Sequence, residues 1–94
     1  MEVQKVILVD DHQIIIDGIK SLLSEEQNIR VIGEGSNGKE ALKLAELLQP
    51  QVVLMDIDMP VLNGIEATRL IKKNNDRIKI IVLSMHNEKS LIKT

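Results

Sequence analysis

The sequence predicts an α/β fold in which a doubly wound parallel sheet carries helices on both faces. Short β-branched runs alternate with longer stretches in which apolar residues recur at helical spacing. The breaks between them are short and rich in Gly, Asn, Asp and Pro. Strands and helices that alternate over such short connections imply right-handed crossovers, and these produce a mainly parallel sheet.

The first half of the chain supplies two strand–helix units. Residues 6–9 are apolar at every position, as expected of a strand covered on both faces. Apolar residues then recur at helical spacing over residues 13–24, which predicts the first helix. A weaker strand is predicted at residues 30–34, and a second helix over residues 38–48 ends before Pro50.

The second half continues the same alternation. Residues 52–55 form a third apolar strand, and residues 56–63 are predicted to be a loop. Apolar residues on one face predict a helix over residues 64–74, and a β-branched run predicts a fourth strand at residues 78–83. A fourth helix is expected to begin at Glu88.

Length and composition fit one domain with an aliphatic core. The 94 residues contain no Trp, Tyr or Phe, while 44% are apolar and 28% are charged, which is typical of a folded domain rather than of a disordered tail. The absence of Cys excludes disulfides, thiolate metal sites and Cys nucleophiles.

Charge and hydropathy limit the partners of the chain. The net charge of -2 provides no basic surface for nucleic acid, so we expect this stretch not to bind DNA by itself. No apolar run approaches the ~18 residues of a membrane span, and the first residues lack the pattern of a signal peptide. We therefore expect no membrane association and a cytoplasmic location.

Three of the predicted strands end in acidic or hydroxyl side chains. Asp10 and Asp11 follow the first strand, Asp56 follows the third, and Ser84 follows the fourth. The carboxyl ends of parallel strands meet at one edge of the sheet, where such folds bind their ligands. A single Asp at a strand end is commonly a turn or cap residue, but three at one edge favour a binding site.

Carboxylates gathered in one place repel one another, which favours a compensating cation. Oxygen ligands suit a hard ion such as Mg²⁺, which leaves positions open for phosphate oxygens. Asp56 is the candidate nucleophile toward phosphorus because it ends a central, buried strand. His12 and His86 lie in separate predicted loops, so we expect them to be exposed rather than to be metal ligands.

Four motifs at these positions resemble the receiver domain of two-component response regulators, and the resemblance covers all 94 residues. The motifs are Val9-Asp10-Asp11-His12, Val53-Leu54-Met55-Asp56-Ile57-Asp58-Met59-Pro60, Asn63-Gly64 and Leu83-Ser84. The resemblance implies a flavodoxin-like receiver fold with strand order 2-1-3-4-5. The Asp-Asp-His and Ser-Met-His segments are most similar to the NarL/LuxR class, whose members usually carry a helix-turn-helix output domain.

The resemblance also implies roles for individual residues. Asp56 matches the aspartate that accepts a phosphoryl group from a sensor histidine kinase, and Asp10 and Asp11 match the acidic pair that binds Mg²⁺. Asp58 matches the position whose backbone carbonyl also ligates the metal, and Ser84 matches the switch hydroxyl that bonds the phosphoryl oxygen. The expected protein is a signalling phosphoacceptor that assists its own phosphorylation and dephosphorylation, not an enzyme in the ordinary sense, with a possible homodimer.

Receivers have five βα units, and the fifth supplies a lysine and an aromatic switch residue. The sequence given matches the first four strands and enters the fourth helix. We therefore expect residues 1–94 to form a receiver domain that is incomplete at its C-terminal side, with order 2-1-3-4 and with strand 5 and helix 5 absent. The output domain, through which any DNA binding would occur, is also absent from these residues.

Three other interpretations remain open. Residues 33–38 satisfy the nucleotide-binding pattern G-x-G-x-x-G. However, Glu40 stands where a P-loop requires Ser or Thr. The simpler interpretation is a turn with a helix cap at Ser36 or Asn37. Asp56-Ile57-Asp58 resembles the D-x-D motif of haloacid-dehalogenase-type phosphatases. The third possibility is a pseudo-receiver that only binds a partner.

Overall fold

A computed structural model describes residues 3–57, 59 and 61–83, and its elements follow the predicted alternation. In chain order they are β1 (Gln4–Val9), α1 (Gln13–Leu23), β2 (Ile29–Gly35), α2 (Gly38–Leu48), β3 (Val52–Asp56), α3 (Gly64–Asn74) and β4 (Lys79–Leu83). The predicted bounds agree to within two residues. The helix predicted from Glu88 lies outside the described residues.

The four described strands form one parallel sheet in the order β2-β1-β3-β4, which confirms the predicted topology. Val9 in β1 pairs with Gly35 in β2 and with Met55 in β3. Asp56 in β3 pairs with Leu83 in β4. The carboxyl ends of all four strands therefore lie along one edge.

Helices cover the sheet on both faces, as predicted. Alternate residues of the central strands, such as Ile7 and Val53, face α2 and α3 in the larger core cluster. The intervening residues Val6 and Leu8 pack with Ile16 of α1 on the opposite face. Ala41 of α2 and Ala67 of α3 are fully buried in the larger cluster, where their small side chains let the helices lie close to the sheet.

Two helices begin with the same cap. The Asn37 side chain accepts a hydrogen bond from the Glu40 backbone N–H at 2.9 Å, and Asn63 does the same for Glu66 at 2.9 Å. At the start of α1 the N-cap is His12, whose side chain makes no capping hydrogen bond. That ring is engaged with neighbouring carboxylates instead. No helix among the described residues is long and apolar enough to cross a membrane.

Candidate functional site

The acidic residues predicted to converge are together at the carboxyl edge of the two central strands. Asp10 follows β1 and Asp56 ends β3, and these residues are only 6% and 5% exposed. One ligand atom from each of Asp10, Asp11, His12 and Asp56 lies within 4.8 Å of all the others. The predicted convergence is therefore present in the structure, and a histidine joins it.

The His12 imidazole lies against two of these carboxylates. Its backbone N–H donates to Asp10 Oδ1 at 2.8 Å, and its ring Nδ1 lies 2.9 Å from Asp10 Oδ1 and 3.0 Å from Asp11 Oδ1. The hydrogen bond with Asp10, followed by the charge of Asp11, raises the pKa of His12 above its ordinary value. When the imidazole is protonated, its charge offsets part of the repulsion among the carboxylates.

The exposed position predicted for His12 is confirmed, since 62% of its side chain is accessible. The contact of the ring with the acidic pair was not predicted. The signal was the adjacency of His12 to Asp10 and Asp11 at a helix N-terminus, where a short side chain can reach backward. Asp58 and Ser84, the other two predicted site residues, lie outside the described residues.

Gly64 allows α3 to begin directly against the backbone of the acidic site. A β-carbon at Gly64 would lie 2.3 Å from the Asp56 carbonyl oxygen and 2.9 Å from Ile57 Cα, distances that no real side chain tolerates. The Gly64 N–H donates to the Ile57 carbonyl at 2.8 Å. The Asn63-Gly64 motif therefore combines a helix cap with a close backbone approach that holds Asp56 in place.

The G-x-G-x-x-G segment does not form a phosphate cradle. Glu40 Oε1 accepts hydrogen bonds from the Ser36 backbone N–H at 2.7 Å and from its hydroxyl at 3.1 Å. The Ser36 N–H, which a phosphate would need as a donor, is thus already bonded to the Glu40 carboxylate. The negative charge of that carboxylate would also repel a phosphate. The segment is a capped turn with Asn37 at the N-cap, as the simpler interpretation predicted.

The sheet order defines an α/β domain of flavodoxin-like topology. Its candidate site is the cluster of acidic side chains at the carboxyl ends of the strands. Within that class, the model of the response regulator receiver domain matches residues 6–94. The chain belongs to this family.

Relatives agree with this assignment. The chain is 39% identical over 88 residues to the transcriptional regulatory protein DegU of Brevibacillus brevis, covering 94% of this chain and 37% of DegU. It is 46% identical over 80 residues to the response regulator protein VraR of Staphylococcus aureus, covering 85% and 38% respectively. The signal receiver domain of NarL from Mycobacterium tuberculosis superposes with a TM-score of 0.87 at 27% identity, over 99% of this chain and 75% of that one.

These relatives place the chain in two-component signalling and beside regulators of the NarL/LuxR type. The chain spans about two fifths of the length of the curated relatives that it matches.

Proposed function

We propose that this chain is a phosphoacceptor in which Asp56 receives a phosphoryl group from the phosphohistidine of a sensor histidine kinase. The observation that carries the proposal is the gathering of Asp10, Asp11 and Asp56 at the carboxyl edge of the sheet, within 4.8 Å of one another, in a chain of the receiver family. A buried carboxylate at the end of a central strand is held in a fixed direction, which favours attack in line.

In the transfer, a carboxylate oxygen of Asp56 forms a bond to phosphorus while the bond from phosphorus to the donor imidazole nitrogen breaks. The electron pair of that bond remains on the imidazole, which takes up a proton. The backbone of Asp56 is held by the β3–β4 pairing and by the contact with Gly64. These contacts keep the carboxylate in position as the negative charge around it increases.

The donor set fits Mg²⁺. Asp10, Asp11 and Asp56 offer hard carboxylate oxygens in one place, and these three residues would hold the ion. When bound, Mg²⁺ offsets the negative charge of the phosphoryl oxygens. We assign the backbone carbonyl of Asp58 as a further ligand and the hydroxyl of Ser84 as the switch group, on the family pattern that their sequence positions match.

The same proposal extends to partners and output. A sensor histidine kinase is the donor, and the response controls transcription through a DNA-binding output domain, in keeping with DegU, which is named a transcriptional regulatory protein. A homodimer is the proposed assembly, and the cytoplasm is the proposed location. The domain itself acts as a substrate that assists its own phosphorylation rather than as an enzyme.

Replacement of Asp56 tests the proposal. We expect the wild-type chain, incubated with Mg²⁺ and a small phosphodonor such as acetyl phosphate, to gain a hydroxylamine-sensitive phosphate by intact mass. Asp56→Asn removes the nucleophile and should abolish this gain, whereas Glu40→Ala, in the first turn of α2, should retain it. Phosphate on Asp56→Asn would exclude Asp56 as the acceptor, and a wild type that gains none would favour the pseudo-receiver.

A further inference from the structure

One of the glycines of residues 33–38 makes an unusually close contact. Gly38 is buried and is the first residue of α2. A β-carbon at Gly38 would lie 2.0 Å from the carbonyl oxygen of Leu62, 2.7 Å from its carbonyl carbon and 2.9 Å from its Cβ. The α2 N-terminus therefore lies directly on the backbone of the β3–α3 loop.

The other two glycines of the segment are different. A β-carbon at Gly33 would meet the end of the Leu48 side chain at 3.0 Å, and one at Gly35 would meet the side chains of Glu40 and Leu44 at 3.2 and 3.3 Å. Side chains of this kind can adjust by a few tenths of an ångström, but a backbone carbonyl held between two elements cannot do so without moving the loop. Among these three glycines, only Gly38 faces main chain.

The loop that Gly38 touches is the one that leaves Asp56. Leu62 packs against the larger core cluster, and Asn63 caps α3. At Gly64 the chain lies against the carbonyl oxygen of Asp56, which a β-carbon at Gly64 would approach to 2.3 Å. Leu62 is only two residues before Gly64, which contacts the Asp56 backbone. A displacement of Leu62 is therefore expected to move that contact.

Val61, next to Leu62, has an unfavourable backbone conformation. Its φ is 72°, in the left-handed region that a β-branched residue adopts only under constraint. Val61 is 75% exposed, so burial of its side chain does not explain the conformation. The conformation therefore belongs to the main chain at this point and not to the packing of the Val61 side chain.

We propose that Gly38 is a positioning residue for phosphoryl transfer: by admitting the Leu62 carbonyl, it sets the path of the β3–α3 loop and, through Gly64, the orientation of Asp56. This inference rests on the proposed role of Asp56. The proposed role also explains why Gly38, the third glycine of the G-x-G-x-x-G segment, is a glycine without invoking nucleotide binding.

The test compares single glycine-to-alanine variants of the full chain, well below their melting temperatures. Gly38→Ala should slow phosphorylation of Asp56 by acetyl phosphate at least about tenfold, since a displacement of about 1 Å can cost up to 100-fold. It should also shift the amide resonances of Ile57 and Gly64. Gly35→Ala, in the same segment, should stay within about twofold of wild type.

Gly18→Ala is the matched helical control, because a β-carbon at Gly18 would meet nothing within 4 Å. In case Gly38→Ala fails to fold, a Gly38→Ala/Val61→Gly double variant gives the loop a flexible hinge that lets it retreat. That double variant should fold and yet remain slow, while Val61→Gly alone keeps the wild-type rate.

Wild-type rates and unchanged Ile57 and Gly64 resonances in the folded Gly38 variants would overturn the inference, because Gly38 would then serve packing alone. An absence of phosphorylation in the wild type would instead contradict the proposed function. In that event the resonances of Ile57 and Gly64 still decide whether Gly38 sets the path of the loop.

Discussion

Asp10 and Asp56 are nearly buried residues at the carboxyl ends of the adjacent strands β1 and β3. Neighbouring residues contact each of them. Asp10 accepts two hydrogen bonds from His12, and the Asp56 backbone lies against Gly64. Buried charge is costly unless it is paired. The residues next to the site therefore contribute backbone geometry and hydrogen bonds to the carboxylates.

Val61 is a residue whose identity conflicts with its backbone. Left-handed conformation costs an L-residue about 1–2 kcal/mol, and Asn tolerates it better than a β-branched residue does. Because Val61 is 75% exposed, replacing its side chain loses little buried apolar area. We expect Val61→Asn to stabilise the fold by about 1 kcal/mol, which raises the melting temperature by roughly 4–8 °C in a domain of this size.

Thermal unfolding followed by circular dichroism measures this effect. Val61→Ala is the control: it removes the branched side chain but keeps a β-carbon, so its gain should be smaller. A Val61→Asn variant that melts at or below the wild-type temperature would show that the left-handed backbone carries no strain.

At the scale of elements, α1 is joined to β2 by a polar contact beside the apolar one. Lys20 of α1 donates to a carboxylate oxygen of Glu34 in β2, and Gln13 also donates to Glu34, at 3.5 Å. The hydrogen bond from Lys20 lowers the pKa of Glu34, and the same bond raises the pKa of Lys20. The side chains are 45% and 33% exposed, so solvent screens the pair.

This contact predicts a pH dependence. The folded-state pKa of Glu34 lies below its unfolded value of about 4.3, so its contribution to stability is fully present above that value and is lost as pH falls through the folded pKa. The contribution of Lys20, whose pKa is raised, is lost only in alkaline solution as pH rises through the folded pKa. We expect Glu34→Gln to be slightly less stable than wild type at pH 7 and equal to it in acid.

Urea unfolding of both proteins between neutral and acid pH measures the difference in free energy of unfolding. At pH 7, salt near 1 M should reduce the difference, since it screens exposed charges. A difference that persists unchanged into acid would mean that Glu34 acts through packing rather than through its charge.

At the scale of the whole molecule, the net charge of -2 conceals an uneven distribution. Three carboxylates stand at one edge of the sheet, next to two strands that form the centre of the fold. Their mutual repulsion opposes folding, and any cation that binds only the folded arrangement stabilises it. The stability of the domain is therefore linked to its site.

Metal addition tests that link. We expect millimolar Mg²⁺ to raise the melting temperature of the wild type, because the ion binds the carboxylates that folding gathers. Asp11→Asn removes one of them and should show a smaller rise. Glu25→Gln, an exposed charge change in the turn after α1, should match the wild type. Equal rises in wild type and Asp11→Asn would contradict the assignment of Asp11 as a ligand.

Much of the fold could be predicted because its signals are local. The all-apolar run at residues 6–9 indicates a strand covered on both faces, and the structure buries all four residues. Parallel strands bring their carboxyl ends to one edge, so residues that follow them in sequence must meet there. The convergence of Asp10, Asp11 and Asp56 was predictable for that reason.

The features that could not be predicted depend on contacts between residues that are distant in sequence. Leu62 rests on Gly38 and Gly64 rests on Asp56, and Val61 takes a left-handed backbone between those fixed points. His12 turns back onto the acidic pair for a related reason, since folding concentrates negative charge there. Hydrophobic periodicity determines which face of an element is buried. Backbone contacts so close that they leave no room for a β-carbon depend on how whole elements are placed, and no local pattern encodes that placement.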